Sequence, residues 1–123
     1  MISFDQFVLE DGSPIYQQII RHIKQGIVAG KILDGDEMPS RRVLSALLAV
    51  NPNTVQKAYR LLEEEAIIES RSGAKSCVML DRVRVMVIRD QLIESDARAF
   101  VQAMQKMGVA RDEAKALVDK LWE

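Results

Sequence analysis

The sequence predicts a mainly α-helical fold with one small β-hairpin, an α+β arrangement. Three patterns predict it: two short amphipathic helices within residues 36–62, two β-prone runs within residues 67–79, and two further amphipathic helices within residues 81–123. Apolar residues recur at helical spacing in the first and third segments, whereas the β-prone runs are short and separated by turn residues. With 123 residues, 48% of them hydrophobic, the chain can bury one modest core with a small appendage.

Composition also limits the kind of protein. The chain is too short for a separate ligand-binding domain, so we expect no domain dedicated to a small-molecule effector. Its one cysteine, Cys77, cannot form an internal disulfide and is expected to be a small buried strand residue. We find no signal peptide and no apolar run long enough to span a bilayer. The sequence therefore predicts a cytoplasmic protein without a membrane partner.

Residues for catalysis or for binding a cofactor are not grouped in this sequence. It has no phosphate-cradling glycine-rich loop, no His-Glu-x-x-His motif and no paired cysteines. The only histidine, His22, lies off the apolar stripe of its helix, so we expect a solvated side chain rather than a catalytic base or a metal ligand. We therefore expect no enzyme activity, no cofactor and no metal.

Charge is distributed unevenly along the chain. The net charge is −3 over residues 1–13, +2 over residues 14–78 and zero over the remainder, for a total of −1. The segment from Pro39 through Leu62 contains no acid and four cations: Arg41, Arg42, Lys57 and Arg60. Such a local surplus of positive charge is typical of a surface that faces phosphates.

An N-terminal arm and a first core helix are predicted before this segment. Phe4 and Phe7 lie among polar residues, so we expect an extended arm that packs on the body. Ser13 is a candidate N-cap and Pro14 suits the first turn of a helix, because its missing N–H has no helical partner there. Isoleucines at helical spacing follow, which predicts that this helix is a core element.

The next two helices form a predicted helix-turn-helix. Ser40 is a suitable N-cap for the first of them. Its apolar residues fall on one face, which we expect to be buried: Val43, Leu44, Leu47 and Leu48. Asn51 can cap the second helix, and Pro52 occupies its first position.

The second helix, over about residues 51–65, has two distinct faces. The face predicted to point inward carries Val55, Ala58, Tyr59 and Leu62, and the opposite face carries Asn53, Gln56, Lys57 and Arg60. Asn and Gln can each read a base edge with two hydrogen bonds, Thr54 can contact a base or a phosphate, and Lys and Arg can hold the DNA backbone. The polar face of an ordinary surface helix is the alternative, but the caps, the short turn and the helix without acids favour a recognition helix.

A β-hairpin is predicted directly after this helix, over about residues 67–79. The turn between its strands contains Arg71, Gly73 and Lys75, so the tip is basic. A hairpin in this position is typical of the wing of a winged helix, where the tip can approach phosphates or the minor groove. The alternative is a solvated hairpin whose charges only keep the chain soluble.

Residues 14–78 resemble the winged-helix domain of the GntR family of bacterial transcription regulators. The matching motifs are Pro14-Ile-Tyr-Gln-Gln-Ile19, Gly35-Asp-Glu-Met-Pro-Ser40, Asn51-Pro-Asn-Thr-Val55 and Lys57-Ala-Tyr59. Asn-Pro-Asn-Thr-Val followed by an Ala-Tyr pair, with a short tail, resembles the YtrA subgroup of that family. Ala66 stands where the family usually has a helix-ending glycine, so a positive φ there would store on the order of 1 kcal/mol of strain.

The resemblance implies DNA contacts at Arg42, Pro52, Asn53, Thr54, Gln56 and Gly73. The other members of the predicted DNA-binding set are polar or basic residues on the same elements: Ser40, Arg41, Lys57, Arg60, Arg71 and Lys75. The implied contacts on the second helix agree with the outward face that helical periodicity gives.

Residues 80–123 predict a short helical region that follows the domain at residues 1–79. Gly108 can end its first helix. The stripes of its two helices supply a predicted dimerisation surface: Leu92, Ile93, Ala97, Phe100, Val101, Met104, Leu117 and Leu121. Two amphipathic helices cannot bury such stripes on each other alone, so a second copy of the chain is the expected cover. Packing of both helices back on the first domain is the alternative.

Together these predictions describe a dimeric, sequence-specific DNA-binding transcription regulator, with repression as the expected mode of action. Its expected partners are a double-stranded DNA operator with inverted-repeat symmetry and a second copy of the chain. A winged helix that binds only other proteins is the alternative. It accounts for the fold equally well, but it gives no reason for an Asn, Gln, Lys and Arg face beside a helix without acids.

Overall fold

The computed structural model describes residues 1–71 and 75–123, and its described part confirms the α+β fold class. The elements in chain order are α1 (Ile15–Val28), α2 (Arg41–Leu48), α3 (Pro52–Glu64), β1 (Ile68–Ser70), β2 (Ser76–Val78), α4 (Arg82–Lys106) and α5 (Arg111–Leu121). The chain divides into two units, Met1–Arg89 and Asp90–Glu123. This division lies further along the chain than the boundary predicted after residue 79, because Ile88 of α4 is buried in the core of the first unit.

The core of the first unit is built from the predicted inward faces of its helices. It contains Ile19, Ile23 and Ile27 of α1, Leu44 of α2, and Val55, Ala58, Tyr59 and Leu62 of α3. Ile67, Ile68 and Val78 of the hairpin region close the same cluster. Each large aliphatic side chain buried in this way contributes roughly 1.5–3 kcal/mol of transfer free energy. The core therefore fixes which side of each helix remains at the surface.

The start of α1 differs from the prediction that Ser13 is the N-cap. Pro14 occupies the N-cap position, with φ −59° and ψ 143°, and α1 has no side-chain cap. The Pro14 carbonyl accepts hydrogen bonds from the N–H groups of Gln17 and Gln18 at 3.1 and 3.2 Å. Gln18 Nε2 in turn donates to the Ser13 carbonyl at 2.9 Å. Ser13 therefore accepts a hydrogen bond through its backbone carbonyl and does not cap α1, because Pro14 occupies the N-cap position.

The N-terminal arm packs on α1 through its phenylalanines, as predicted, and it partly covers His22, which was expected to be solvated. The His22 ring lies 4.5 Å from the Phe4 ring and 5.3 Å from the Phe7 ring, measured between centroids. Its Nε2 is 2.9 Å from the Ser3 carbonyl oxygen. The arm covers His22 from a distant part of the sequence, which helical periodicity alone cannot reveal.

The predicted cap of α2 is confirmed, but its predicted apolar face is only half right. The Val43 N–H donates to Ser40 Oγ at 3.1 Å. Leu44 is fully buried and Leu48 is partly buried, whereas Val43 and Leu47 are 56% and 59% exposed. A helix of eight residues that packs mainly on α3 buries a narrow strip, and Ser45 rather than Val43 lies beside Leu44 in that strip.

The hairpin is confirmed and has a further partner that the sequence did not reveal. β1 and β2 are antiparallel, with Ile68 opposite Val78. On the other side of β2, Glu37 forms an antiparallel bridge with Cys77, and the Met38 N–H donates to the Ser76 carbonyl at 2.8 Å. β2 is therefore held from both sides. Cys77 is a strand residue as predicted, but it is partly rather than fully buried.

The second unit contains the end of α4 and all of α5. α4 ends before Gly108, which has a φ of +74°, as predicted. No residue of Asp90–Glu123 is buried, and large apolar side chains such as Ile93, Val101 and Leu121 are 48%, 48% and 69% exposed. Among the described residues, no helix combines the length and the apolar run that crossing a membrane requires.

The backbone at Ala66 provides a test of the strain expected there. Ala66 has a φ of 58°, so we expect Ala66→Gly to raise the free energy of unfolding by roughly 0.5–1 kcal/mol. Urea denaturation followed by circular dichroism measures the change. The matched control is Ala46→Gly at an exposed position inside α2, which should lower that free energy by ~1 kcal/mol. Destabilisation by both substitutions would contradict the strain at Ala66.

Candidate nucleic-acid interface

Helix α3, the predicted recognition helix, is oriented by its two ends and by its buried face. Asn51 caps it, since the Asn53 N–H donates to Asn51 Oδ1 at 2.8 Å, and Pro52 occupies the first turn. The inward face is buried as predicted, which leaves the opposite side chains exposed: Asn53, Gln56, Lys57 and Arg60. Thr54 is partly buried at the edge of this face. The side chains predicted to read bases therefore share one open face of α3.

Tyr59 links α3 to the segment that precedes α2. Its hydroxyl donates to the Pro39 carbonyl oxygen at 2.5 Å, and its side chain is 1% exposed. Burial raises the pKa of Tyr59 well above its ordinary value, an effect that the nearby positive charge of Arg41 partly opposes. The phenol therefore keeps its proton at neutral pH and can act as the donor.

The four cations of the helix-turn-helix occupy different environments. Arg41 Nη2 lies 2.6 Å from Glu63 Oε1, and the side chain is only 29% exposed. Lys57 Nζ lies 4.0 Å from the centroid of the Tyr16 ring. Arg60 forms an i,i+4 ion pair with Glu64 at 3.0 Å, and Arg42 is exposed at the first turn of α2. Glu63 and Glu64, directly after Leu62, thus neutralise Arg41 and Arg60. The acid-free segment alone therefore overestimates the unpaired positive charge of this surface.

Two of the three predicted wing residues lie within the described part of the chain. Arg71 and Lys75 are exposed, and the Arg71 N–H donates to the Lys75 carbonyl at 2.7 Å, so the hairpin holds them close together. Arg71 pairs with Glu69 at 3.1 Å and Lys75 with Glu37 at 3.9 Å. Such exposed pairs contribute about 0–1 kcal/mol and are exchanged readily for other anions. Gly73 lies outside the described residues.

Apart from Thr54, which is partly buried, and Gly73, which lies outside the described residues, the predicted DNA-binding set falls into two groups. Most members are exposed on α3, at the start of α2 or on the hairpin: Arg42, Pro52, Asn53, Gln56, Lys57, Arg60, Arg71 and Lys75. The hydroxyl of Ser40 is engaged in the cap of α2, and the guanidinium of Arg41 is engaged with Glu63. The i,i+4 spacing of Arg60 and Glu64 indicates their ion pair from the sequence alone. Arg41 and Glu63 lie on different helices, so no pattern of neighbouring residues indicates their pairing.

Metal binding finds no support in the described residues. Nowhere in residues 1–71 and 75–123 do three or more His, Cys, Asp or Glu side chains come together in a way that could hold a metal ion.

A helix-turn-helix with an exposed polar recognition face, followed at once by a β-hairpin, defines the winged-helix class of DNA-binding proteins. Comparison with known families then gives a specific result: "Bacterial regulatory proteins, gntR family" matches residues 15–78. The chain belongs to the GntR family and is a transcriptional regulator. The predicted family resemblance and the expectation that the chain is not an enzyme are thereby confirmed.

Individual relatives agree with this assignment. The uncharacterized HTH-type transcriptional regulator YhcF of Bacillus subtilis (strain 168) is 32% identical over 85% of this chain and 86% of its own length. The HTH-type transcriptional repressor YtrA of the same organism is 48% identical over 50% of this chain and 47% of its own length. A solved GntR family transcriptional regulator from Listeria monocytogenes has a TM-score of 0.79 and 34% identity, covering 92% of this chain and 99% of that one.

The cap of α3 provides a second test. We expect Asn51→Ala to lower the free energy of unfolding by about 1 kcal/mol, because the Asn53 N–H loses its acceptor. Asn51→Asp keeps a side-chain acceptor and should retain the stability of the original chain. Chemical denaturation of the three proteins measures the differences, and equal losses in both variants would contradict a capping role.

Proposed function

We propose that this regulator is a sequence-specific repressor that binds an operator through the outward face of α3. The observation that carries the proposal is the exposure of Asn53 and Gln56 on a helix whose opposite face is fully buried. Amide side chains held in this way can make paired hydrogen bonds to base edges in the major groove. The description of YtrA as a repressor supports repression as the mode of action. Such a protein acts where the chromosome is, in the cytoplasm.

Around these base-reading residues, the exposed cations are proposed to hold the DNA backbone. Asn53 and Gln56 form the proposed reading face of α3. Arg42 at the start of α2 and Lys57 and Arg60 on α3 are suited to phosphates on either side of it. The Arg60–Glu64 pair is an exposed i,i+4 pair, so exchanging Glu64 for a phosphate costs little. Thr54 and Pro52 lie at the N-terminal end of the same helix, and Arg71, Gly73 and Lys75 of the hairpin are proposed as the wing contacts.

The second unit is proposed to form a homodimer. Its 34 residues, Asp90–Glu123, contain no buried side chain, and a helical pair of that size has too little core to be stable alone. A second copy that covers the exposed apolar stripes supplies the missing burial. Two chains related by a two-fold axis carry two recognition helices related by the same axis, so the operator should be an inverted repeat. Its half-site centres should lie roughly 10 bp, or a multiple of that, apart.

Selection of bound sequences from a random double-stranded DNA library tests the function directly. We expect enrichment of one inverted-repeat motif, with affinity that falls steeply as the salt concentration rises. Recovery of no preferred sequence, together with no measurable DNA binding at low salt, would instead favour a winged helix that binds only proteins.

Base reading by α3 has its own test. Asn53→Ala and Gln56→Ala should each relax base preference at one or two positions of a half-site, at a cost of about 1–3 kcal/mol in operator binding. Lys57→Ala and Arg60→Ala serve as controls, since loss of a phosphate contact should weaken all sequences alike and reduce the salt slope by about 0.9. Repeating the library selection with each variant makes the measurement. An unchanged motif for both Asn53→Ala and Gln56→Ala would place base reading elsewhere.

Dimerisation through the second unit is tested by charge insertion. We expect the full chain to sediment as a dimer at micromolar concentration and Val101→Lys to sediment as a monomer, because the substitution buries an unpaired charge in the proposed interface. Gln102→Lys, one position along on a polar face, is the matched control and should remain dimeric. Truncation after Arg89 should also give a monomer, with weaker operator binding through loss of effective concentration. A monomeric full chain would overturn the proposal.

A further inference from the structure

Arg41 lies at the first turn of α2 and reaches across to the last turns of α3. Its Nη2 contacts Glu63 Oε1 at 2.6 Å, and its guanidinium carbon lies 5.0 Å from the centroid of the Tyr59 ring. We propose that Arg41 is a positioning residue, which fixes the start of α2 against α3 through Glu63 and Tyr59 and does not itself neutralise a phosphate. This inference rests on the proposed binding of an operator.

The guanidinium of Arg41 is less exposed than that of Arg60. One nitrogen, Nη2, is bound to Glu63, and another, Nε, is buried without a hydrogen-bond partner among the described residues. The Arg60–Glu64 pair, by comparison, is more than half exposed on both sides. To reach a phosphate, Arg41 would have to leave the partly buried Glu63 carboxylate unpaired. That loss opposes the gain from the new contact.

The position of Arg41 on its helix supports the same role. The N-terminus of a helix carries partial positive charge, so a cation in the first turn is unfavourable unless an anion compensates it. Glu63 supplies that anion for Arg41 from a different helix. The aromatic face of Tyr59 adds a second favourable contact for the same guanidinium.

Arg41 positions the first turn of α2, which also carries Arg42. Pro39 is tied to α3 by the Tyr59 hydroxyl, and Ser40 caps α2 through the Val43 N–H. Arg41 adds a third link on the residue directly before Arg42, which is exposed. These links anchor the first turn of α2 to α3 and thereby position the Arg42 side chain relative to the outward face of α3. The position of Arg42 then affects the affinity for the operator strongly and the affinity for nonspecific DNA little.

Two substitutions in the full chain separate positioning from direct contact. Arg41→Lys keeps the charge but loses the planar fork and the stacking on Tyr59, so positioning requires operator affinity to fall by roughly tenfold. Glu63→Gln removes an acid, which by charge alone would tighten all DNA binding, whereas positioning requires weaker operator binding. We expect the affinity for nonspecific DNA to be unchanged in Arg41→Lys and slightly higher in Glu63→Gln, where only the charge effect remains. Fluorescence anisotropy with the selected operator and with a scrambled duplex measures the ratio.

The exposed Arg98–Glu94 pair of α4 supplies one control, because neither residue belongs to the proposed DNA-binding set. Arg98→Lys should bind the operator like the original chain, and Glu64→Gln should bind both duplexes slightly more tightly. Thermal unfolding shows that each variant is folded at the assay temperature. Glu63→Gln keeps the side-chain shape and carries the test if Arg41→Lys does not fold.

Operator affinity of Arg41→Lys equal to that of the original chain, or tighter operator binding by Glu63→Gln, would overturn the positioning role. Parallel losses on both duplexes would also overturn it, because they indicate a general loss of folded protein or of phosphate contact. These outcomes differ from failure of the proposed function, in which the original chain itself selects no operator.

Discussion

The burial of one face of α3 is the constraint on which the rest of the structure depends. Val55, Ala58, Tyr59 and Leu62 are each at most 1% exposed, and they bring α1, α2 and the hairpin together around this one helix. Rotation of α3 by a single residue, about 100°, would expose much of that face, so the helix has one favourable orientation. The direction of Asn53 and Gln56 follows from hydrophobic burial on the other side. Stability and the geometry of the proposed reading face therefore have the same physical origin.

The residues at the ends of α2 and α3 determine where each helix begins and ends. Side-chain caps at Ser40 and Asn51 satisfy N–H groups that have no helical partner, and they fix the first turns of α2 and α3. Ala49 and Ala66 then end the two helices with φ values of 54° and 58°, a conformation that residues with a Cβ rarely adopt. The strain is tolerated because core packing on both sides of each turn determines the path of the chain.

Several cations around α3 have an acidic or aromatic partner. Acids at the end of α3 pair with Arg41, Arg60 and, from α1, Lys24, while Lys57 rests over the Tyr16 ring. These partners differ in how easily they are released. Separating an exposed i,i+4 pair costs little, whereas separating the partly covered Arg41–Glu63 pair costs more. Under the proposed function, a chain with little net charge offers phosphate contacts from its exposed cations, while Arg41 serves internal positioning.

The sequence by itself determined the element types, the two faces of α3, the caps of α2 and α3 and the place of the hairpin, because these depend on residues within a few positions of one another. It also indicated the family through motifs confined to residues 14–78. Only the tertiary structure decided which apolar residues of α2 are covered, that the arm partly covers His22, that residues 36–38 pair with β2, and that Arg41 bonds to Glu63. Each of these is a contact between segments distant in the chain, and such contacts depend on how the helices pack around α3 rather than on any local pattern.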